Sequence, residues 1–343
     1  VVPVRPHDGS GERGRPAVVE SKPWSTDRFQ RVEGQRARKW VEDDLSGTIM
    51  KAREREELPS HQTRDEQWTL IIRPQRGWLD LRLDQLWRYR DLVMLFVWRD
   101  FVAQYKQTIL GPLWHIIQPL LTTLTFTVIF GRVAQLPTDG LPQFLFYMAG
   151  TVIWSYFAAC ATTTSDTFIA NAGIFGKVYF PRLVMPISVL LSKLISFAIQ
   201  FGIFLALLLL FAVRGAPVRP NAWVLLTPIL LLIMAGLGLG FGIIVSALTT
   251  RYRDLRFLVA FGVQLLMYAT PVIYPLSAIP DRYRILIGAN PMAPVIESFR
   301  FAYLGTGTVS MGHLFYSFGF MALLLFVGLL LFTRVERTFM DTV

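Results

Sequence analysis

The chain is poor in the residues that hold metals or form covalent intermediates. Cys160 is its only cysteine, so no disulfide and no cysteine-based metal site can form within one copy. The four histidines, His7, His61, His115 and His313, form no HExxH or similar pair, so no metal is expected. No GxxxxGK[ST] occurs; the nearest run, Gly173-Ile174-Phe175-Gly176-Lys177, lacks both the spacing and the hydroxyl, which excludes ATP hydrolysis on this chain. GxSxG is missing as well. A membrane glycosyltransferase or acyltransferase would gather acidic or histidine side chains at one face, whereas Asp139, Asp166, Asp254, Asp281 and Glu297 are scattered. No catalytic residue and no cofactor is therefore expected. Charge itself is scarce: 17% of residues are charged against 53% hydrophobic, with a mean hydropathy of +0.43, which excludes an ordinary soluble domain.

What charge there is lies unevenly. Residues 1–66 hold 13 Lys/Arg and 13 Asp/Glu, so the whole net charge of +10 resides in the remainder. There the cations sit at the ends of hydrophobic spans, which points to a membrane surface with its anionic lipids and away from nucleic acid. Residues 1–66 are polar and charge-mixed, and read as a mostly disordered extension with a helix around 27–57; without an apolar h-region they are no signal peptide. Residues 67–107 form a membrane-surface segment, weakly alternating and broken at Arg73-Pro74 and Arg76-Gly77, that leads into a helix which Asp84 can cap.

The remaining chain is organised around Asp84 to Gly131. At about 100° per residue, Arg88, Arg99 and Lys106 share one helix face with Asp91 beside them, while Trp87, Leu92, Val93, Phe96, Val97 and Phe101 occupy the other sides. Such a helix lies in the headgroup layer. Gly111-Pro112 then turns the chain, and Leu113 to Phe130 carries no ionised group over 18 residues, about 27 Å or one bilayer core. Five more spans follow near 143–165, 184–213, 222–249, 257–275 and 313–333, which makes residues 108–343 an all-α, six-span polytopic domain. An even number puts both termini on one side. The connections on that side hold eleven Lys/Arg, the opposite ones six, so both termini are expected in the cytoplasm.

Two connections are unusual. Residues 166–182 are interrupted by Gly173, Gly176 and Pro181 and have room for one brief helix. Residues 276–312 are long and semi-apolar, and Asn290-Pro291 divides them into helix-like halves, 280–289 and 293–304. Non-spanning backbone at membrane depth must be buried in protein or line a cavity, so these halves are re-entrant helices or a loop lying on the surface. Within the spans, polar and aromatic side chains form stripes: Trp114, Gln118, Thr122 and Thr125 in span one; Tyr147, Thr151, Trp154, Thr162 and Ser165 in span two; Ser188, Ser192, Ser196 and Gln200 in span three; Phe257, Phe261, Gln264 and Tyr268 in span five. Hydroxyls, amides and ring faces suit a sugar polymer; they equally suit hydrogen bonding between packed helices. Lys193, a lone cation within a span, could snorkel, pair with a carbonyl or touch an anionic substrate. Gly236, Gly238, Gly240 and Gly242 give two overlapping GxxxG spacings, which point to close helix packing.

Six segments in order carry a resemblance: RDFVAQYKQTILGPLWHIIQPLL (99–121), NAGIFGKVYFPRLVMPIS (171–188), YRDLRFL (252–258), ATPVIYPLSAIPDRYR (269–284), NPMAPVIESFR (290–300) and VERTFMDTV (335–343). They resemble the membrane subunit of type-2 ABC exporters, in the branch that handles bacterial cell-surface polysaccharides such as O-antigen of lipopolysaccharide, capsule and wall teichoic acid. The resemblance covers about Trp68 to Val343 and leaves residues 1–66 outside. It implies a permease of the bacterial inner membrane that pairs with a second copy of itself. Two separate ATPase subunits would hold ATP and Mg, and the cargo would be a lipid-linked polysaccharide. It also implies an interfacial helix at 84–107, a coupling helix around Asn171, Gly173, Phe175 and Lys177, and two external gate helices over 280–304 with Pro280, Asn290, Pro291, Glu297 and Arg300. The candidate substrate path is Trp114, Gln118, Tyr147, Trp154, Phe257, Phe261, Gln264 and Tyr268, chosen from the stripes. A small-molecule exporter of the same class and a membrane-embedded enzyme of glycan or lipid assembly are the rival readings.

Overall fold

The computed structural model describes residues 83–339 apart from 107, 176, 178–179 and 250–253, so the expectations for 1–66 and for the segment 67–82 lie outside the described residues. Every regular element among the described residues is helical. Two helices, α1 (Leu83–Arg88) and α2 (Arg90–Tyr105), occupy the stretch expected to be one continuous interfacial helix. The chain breaks at Tyr89, whose φ of −93° and ψ of 17° are not helical. Val93, Phe96 and Val97 of α2 are buried against Phe180, Val184 and Met185. This face thus meets protein, while Trp87, Met94, Leu95 and Trp98 remain exposed as a second apolar side.

Five helical stretches are long and apolar enough to cross a membrane: Trp114–Val133, Gln143–Ser165, Val184–Val213, Ala222–Thr249 and Met311–Arg334. They comprise α3 (Trp114–Phe126, continued by a π-turn), α4 (Gln143–Ser165), α7 (Val184–Val213), α8 (Thr227–Thr249) and α12 (Met311–Phe339). The expected span at 257–275 departs from this pattern. Its helix, α9, runs only from Leu255 to Tyr268, 14 residues or about 21 Å. Pro271 ends it: proline lacks the N–H that a further turn needs and disfavours helical geometry at the preceding residue.

Helix α4 forms the centre, and α3, α7, α8, α9 and α11 (Ala293–Leu304) all pack on it. Its neighbour α8 comes close because it carries glycines on two opposite faces. A Cβ at Gly238 would lie 2.7 Å from Cys160 Cβ, and one at Gly242 would lie 2.5 Å from Thr164 Cβ, both on α4. At Gly236 and Gly240 the same atom would strike Met321 and the Leu324 backbone of α12. The two interleaved GxxxG spacings therefore serve two different partners, as close packing in lipid requires. By contrast α3, α7 and α12 are mostly unburied within the single chain, and α9 exposes Phe257, Leu258, Phe261 and Leu265.

Candidate functional site

The region after α9 is built around one arginine. Once Pro271 has ended the helix, the carbonyls of Pro271, Val272 and Tyr274 have no helical N–H to accept from. Arg300 of α11 supplies the missing donors. Its Nη1 donates to Pro271 O at 2.6 Å and to Tyr274 O at 3.4 Å, and its Nη2 donates to Val272 O. Its guanidinium lies 3.8 Å from the centre of the Phe146 ring on α4 and 3.4 Å from Glu297 Oε1, one helical turn away. Both charged side chains are buried, 1% and 3% exposed. Glu297 in turn accepts from the Thr308 N–H at 3.4 Å. Burial raises the Glu297 carboxyl above the usual range and lowers the Arg300 guanidinium to about 10; the charge of each opposes the shift of the other.

Asn290 and Pro291 mark the division expected of them. Helix α10 (Asp281–Gly288) precedes them and α11 follows. Asn290 Nδ2 donates to Thr270 Oγ1 at 2.7 Å, its Oδ1 accepts from Met292 N at 3.0 Å, and Pro291 O accepts from Ser317 Oγ of α12 at 2.8 Å. The two halves differ in burial. From Val295 to Arg300, α11 is wholly buried among α4, α8 and α12, whereas residues 280–286, Pro280 included, are exposed. A fixed half and an exposed half are thus joined by a hydrogen-bonded corner.

The candidate path residues do not form one surface within a single chain. Tyr147 and Trp154 lie in the core, 0% and 5% exposed, with their rings against protein. Gln118, Gln264 and the rings of Trp114, Phe257, Phe261 and Tyr268 are exposed on α3 and α9, the two helices that flank α4.

At the other end of the bundle, the described residues of 166–182 hold two short turns, α5 (Thr167–Ala170) and α6 (Ala172–Phe175), where one brief helix is expected. Phe175 packs on Phe168 and Phe180, ring centres 5.8 and 5.6 Å apart. Gly173 and Lys177 are exposed, and a Cβ on Gly173 would meet nothing within 4 Å. Asn171 Oδ1 accepts from Arg99 Nη2 at 3.2 Å, and Arg99 also bonds Asp100 at 2.7 Å. Arg99 is therefore half-buried and tied to protein partners, unlike Arg88 and Lys106, which are exposed. This bond ties α2 directly to the 167–175 segment, a link that no spacing in the sequence revealed.

Comparison with known proteins gives a consistent picture. The ABC-2 type transporter family matches residues 91–304. The chain is 31% identical over 253 residues to an O-antigen export system permease protein RfbA of Klebsiella pneumoniae, covering 73% of this chain and 94% of that one. An RfbA of Myxococcus xanthus is 29% identical over 219 residues, 63% of this chain and 81% of the relative. The polysialic acid transport protein KpsM of Escherichia coli is 26% identical over 250 residues, 71% and 93% respectively.

Proposed function

The chain belongs to the ABC-2 type transporter membrane family, and from that premise we propose that it is the permease subunit of an exporter for a lipid-linked cell-surface polysaccharide. The observation that carries the reading is similarity over nearly the full length of relatives named for O-antigen and polysialic acid, both sugar polymers. The chain is a transport subunit and not an enzyme; it has no P-loop, and ATP with its Mg is held and hydrolysed by a separate subunit.

Two copies pair through the exposed faces of α3 and α9, and two ATPase subunits dock on the end that carries α5 and α6. Support for pairing comes from the aromatic rows Trp114, Phe257, Phe261 and Tyr268, which one copy leaves uncovered. Together with Gln118 and Gln264 they would line the polymer path. Ring faces suit a sliding chain, because stacking is broad and tolerates shifts in register. The α10–α11 corner forms the external gate, with α11 fixed and α10 free to move. The protein resides in the bacterial inner membrane with both termini in the cytoplasm, a reading supported by the eleven-to-six distribution of basic residues. A strain lacking the gene should make the polymer and keep it inside. Surface display restored by the wild-type gene supports the reading; polymer still displayed in the deletion strain contradicts it.

A further inference from the structure

Two polar cavities open between α2, α3, α4 and α7 and meet at Lys193. The larger, about 580 Å³, adjoins the 167–171 segment and is walled by Arg99, Gln104, Thr163, Asp166, Asn171 and Ser192. The smaller, about 200 Å³, runs deeper between the spans, past Gln118, Thr122, Ser155, Ser196 and Gln200. Lys193 and Gln104 line both. Lys193 lies nine residues into α7, about 14 Å along its axis from Val184. Among the described residues no carboxylate stands within ion-pair distance of its amine.

A lysine at that depth is costly unless something compensates it. Lys193 is partly buried, and its side chain borders both polar cavities. Two carboxylates share the larger cavity. Asp100 is already held by Arg99 at 2.7 Å, while Asp166 keeps a buried Oδ1 without a hydrogen-bond partner. Asp166 limits the space for an anion to the Lys193 side, toward Ser192, Ser196 and Gln104, where the lining supplies a cation with hydroxyl and amide groups. One positive charge beside sugar-type hydrogen-bonding groups fits a phosphate bonded to a sugar or to a lipid.

We propose that Lys193 binds the phosphate group by which the substrate's lipid end enters the permease, with Gln104, Ser192 and Ser196 holding the groups next to it. The inference rests on the polysaccharide-export reading and adds an anion site inside each copy, apart from the aromatic rows on α3 and α9. It also places the loading site against the segment that contacts the ATPase, since Asn171 and Asp166 border the same cavity.

The test uses the permease–ATPase complex in nanodiscs with radiolabelled polyisoprenyl phosphate as probe, and unlabelled phosphatidylglycerol as competitor. Wild type, Lys193→Met and Lys193→Arg are compared after each is shown to assemble with the ATPase. The expected result is retention by wild type, at least about tenfold weaker retention by Lys193→Met, and recovery in Lys193→Arg, as loss of a charge-assisted contact predicts. Competition by phosphatidylglycerol at equal concentration would identify the ligand as a general phospholipid headgroup; lack of competition would identify the substrate's own lipid. Both outcomes keep the phosphate site. Equal retention by wild type and Lys193→Met overturns it, as does failure of Lys193→Arg to recover. Polymer export measured in parallel separates the two readings. A wild type that exports while Lys193→Met binds normally refutes only the phosphate site, and a wild type that exports no polymer refutes the export reading.

Discussion

Replacing Arg300 with methionine is the sharpest perturbation the fold offers. The substitution keeps an unbranched, apolar stem of similar length and removes the guanidinium. Three things are lost together. Glu297 becomes a buried carboxylate without its partner, Pro271 O and Val272 O lose their donors, and the Phe146 ring loses its cation. Removing one member of a buried ion pair costs about 3–5 kcal/mol, and each orphaned carbonyl adds roughly 1–3 kcal/mol. Part of this is recovered when Glu297 takes up a proton, which its raised pKa already favours. A net loss of about 4 kcal/mol corresponds to roughly 10 °C in melting temperature for a domain of this size. The assay is the thermal midpoint of the detergent-solubilised protein by size-exclusion chromatography. Lysine should not substitute, because one ammonium cannot reproduce a planar fork that reaches Pro271, Val272 and Glu297 at once. The double variant Glu297→Gln with Arg300→Met should be less destabilised than the sum of the singles, since it leaves no charge buried alone. If Arg300→Met melts with the wild type, the carbonyls of Pro271, Val272 and Tyr274 do not depend on Arg300 and the account of the shortened α9 is wrong.

Other expectations follow from local geometry. Gly242→Leu should prevent accumulation of folded protein, because a Cβ there already lies 2.5 Å from Thr164 Cβ, whereas Gly262→Ala, with nothing within 4 Å, should leave expression and melting unchanged. Phe261→Ala and Tyr268→Ala should slow polymer export while leaving folding intact, since both rings are exposed; Tyr147→Ala, at 0% exposure, should lose about 3–5 kcal/mol of stability, read as a lowered melting temperature. Gly173→Pro should leave the ATPase bound and uncouple its hydrolysis from export; unchanged export and unchanged substrate-stimulated hydrolysis would show that the 172–175 turn does not transmit force.

Much of this architecture is legible from the residues because membrane spans are written in long apolar runs. The limits of α4 and α7 coincide with the runs at 143–165 and 184–213, and the glycine spacings of α8 predicted close packing. The α9 span was misread at its end. Hydropathy continues through Pro271, Val272 and Ile273, yet proline chemistry ends the helix after Tyr268, and the proline alone does not reveal which side chain will satisfy the freed carbonyls. Arg300, expected only as one residue of the external gate, is that partner; only packing of α11 between α4 and α12 brings it there. The stripes failed on α4 for a related reason. On central α4 the rings of Tyr147 and Trp154 are covered by protein, whereas the rings on peripheral α3 and α9 remain open. The Arg99–Asn171 bond joins residues far apart in sequence and left no periodic trace.

The central claim is that this permease moves a sugar polymer with work done by a separate ATPase. The direct measurement is transport in sealed vesicles containing the permease and its ATPase partner, loaded on the ATPase side with lipid-linked polymer carrying a label. With ATP and Mg added on that side, labelled polymer should become accessible to a sugar-specific lectin at the opposite face, and should not do so when either subunit or ATP is omitted. Lectin access that is independent of ATP, or absent while ATP is being hydrolysed by the intact complex, would contradict the account.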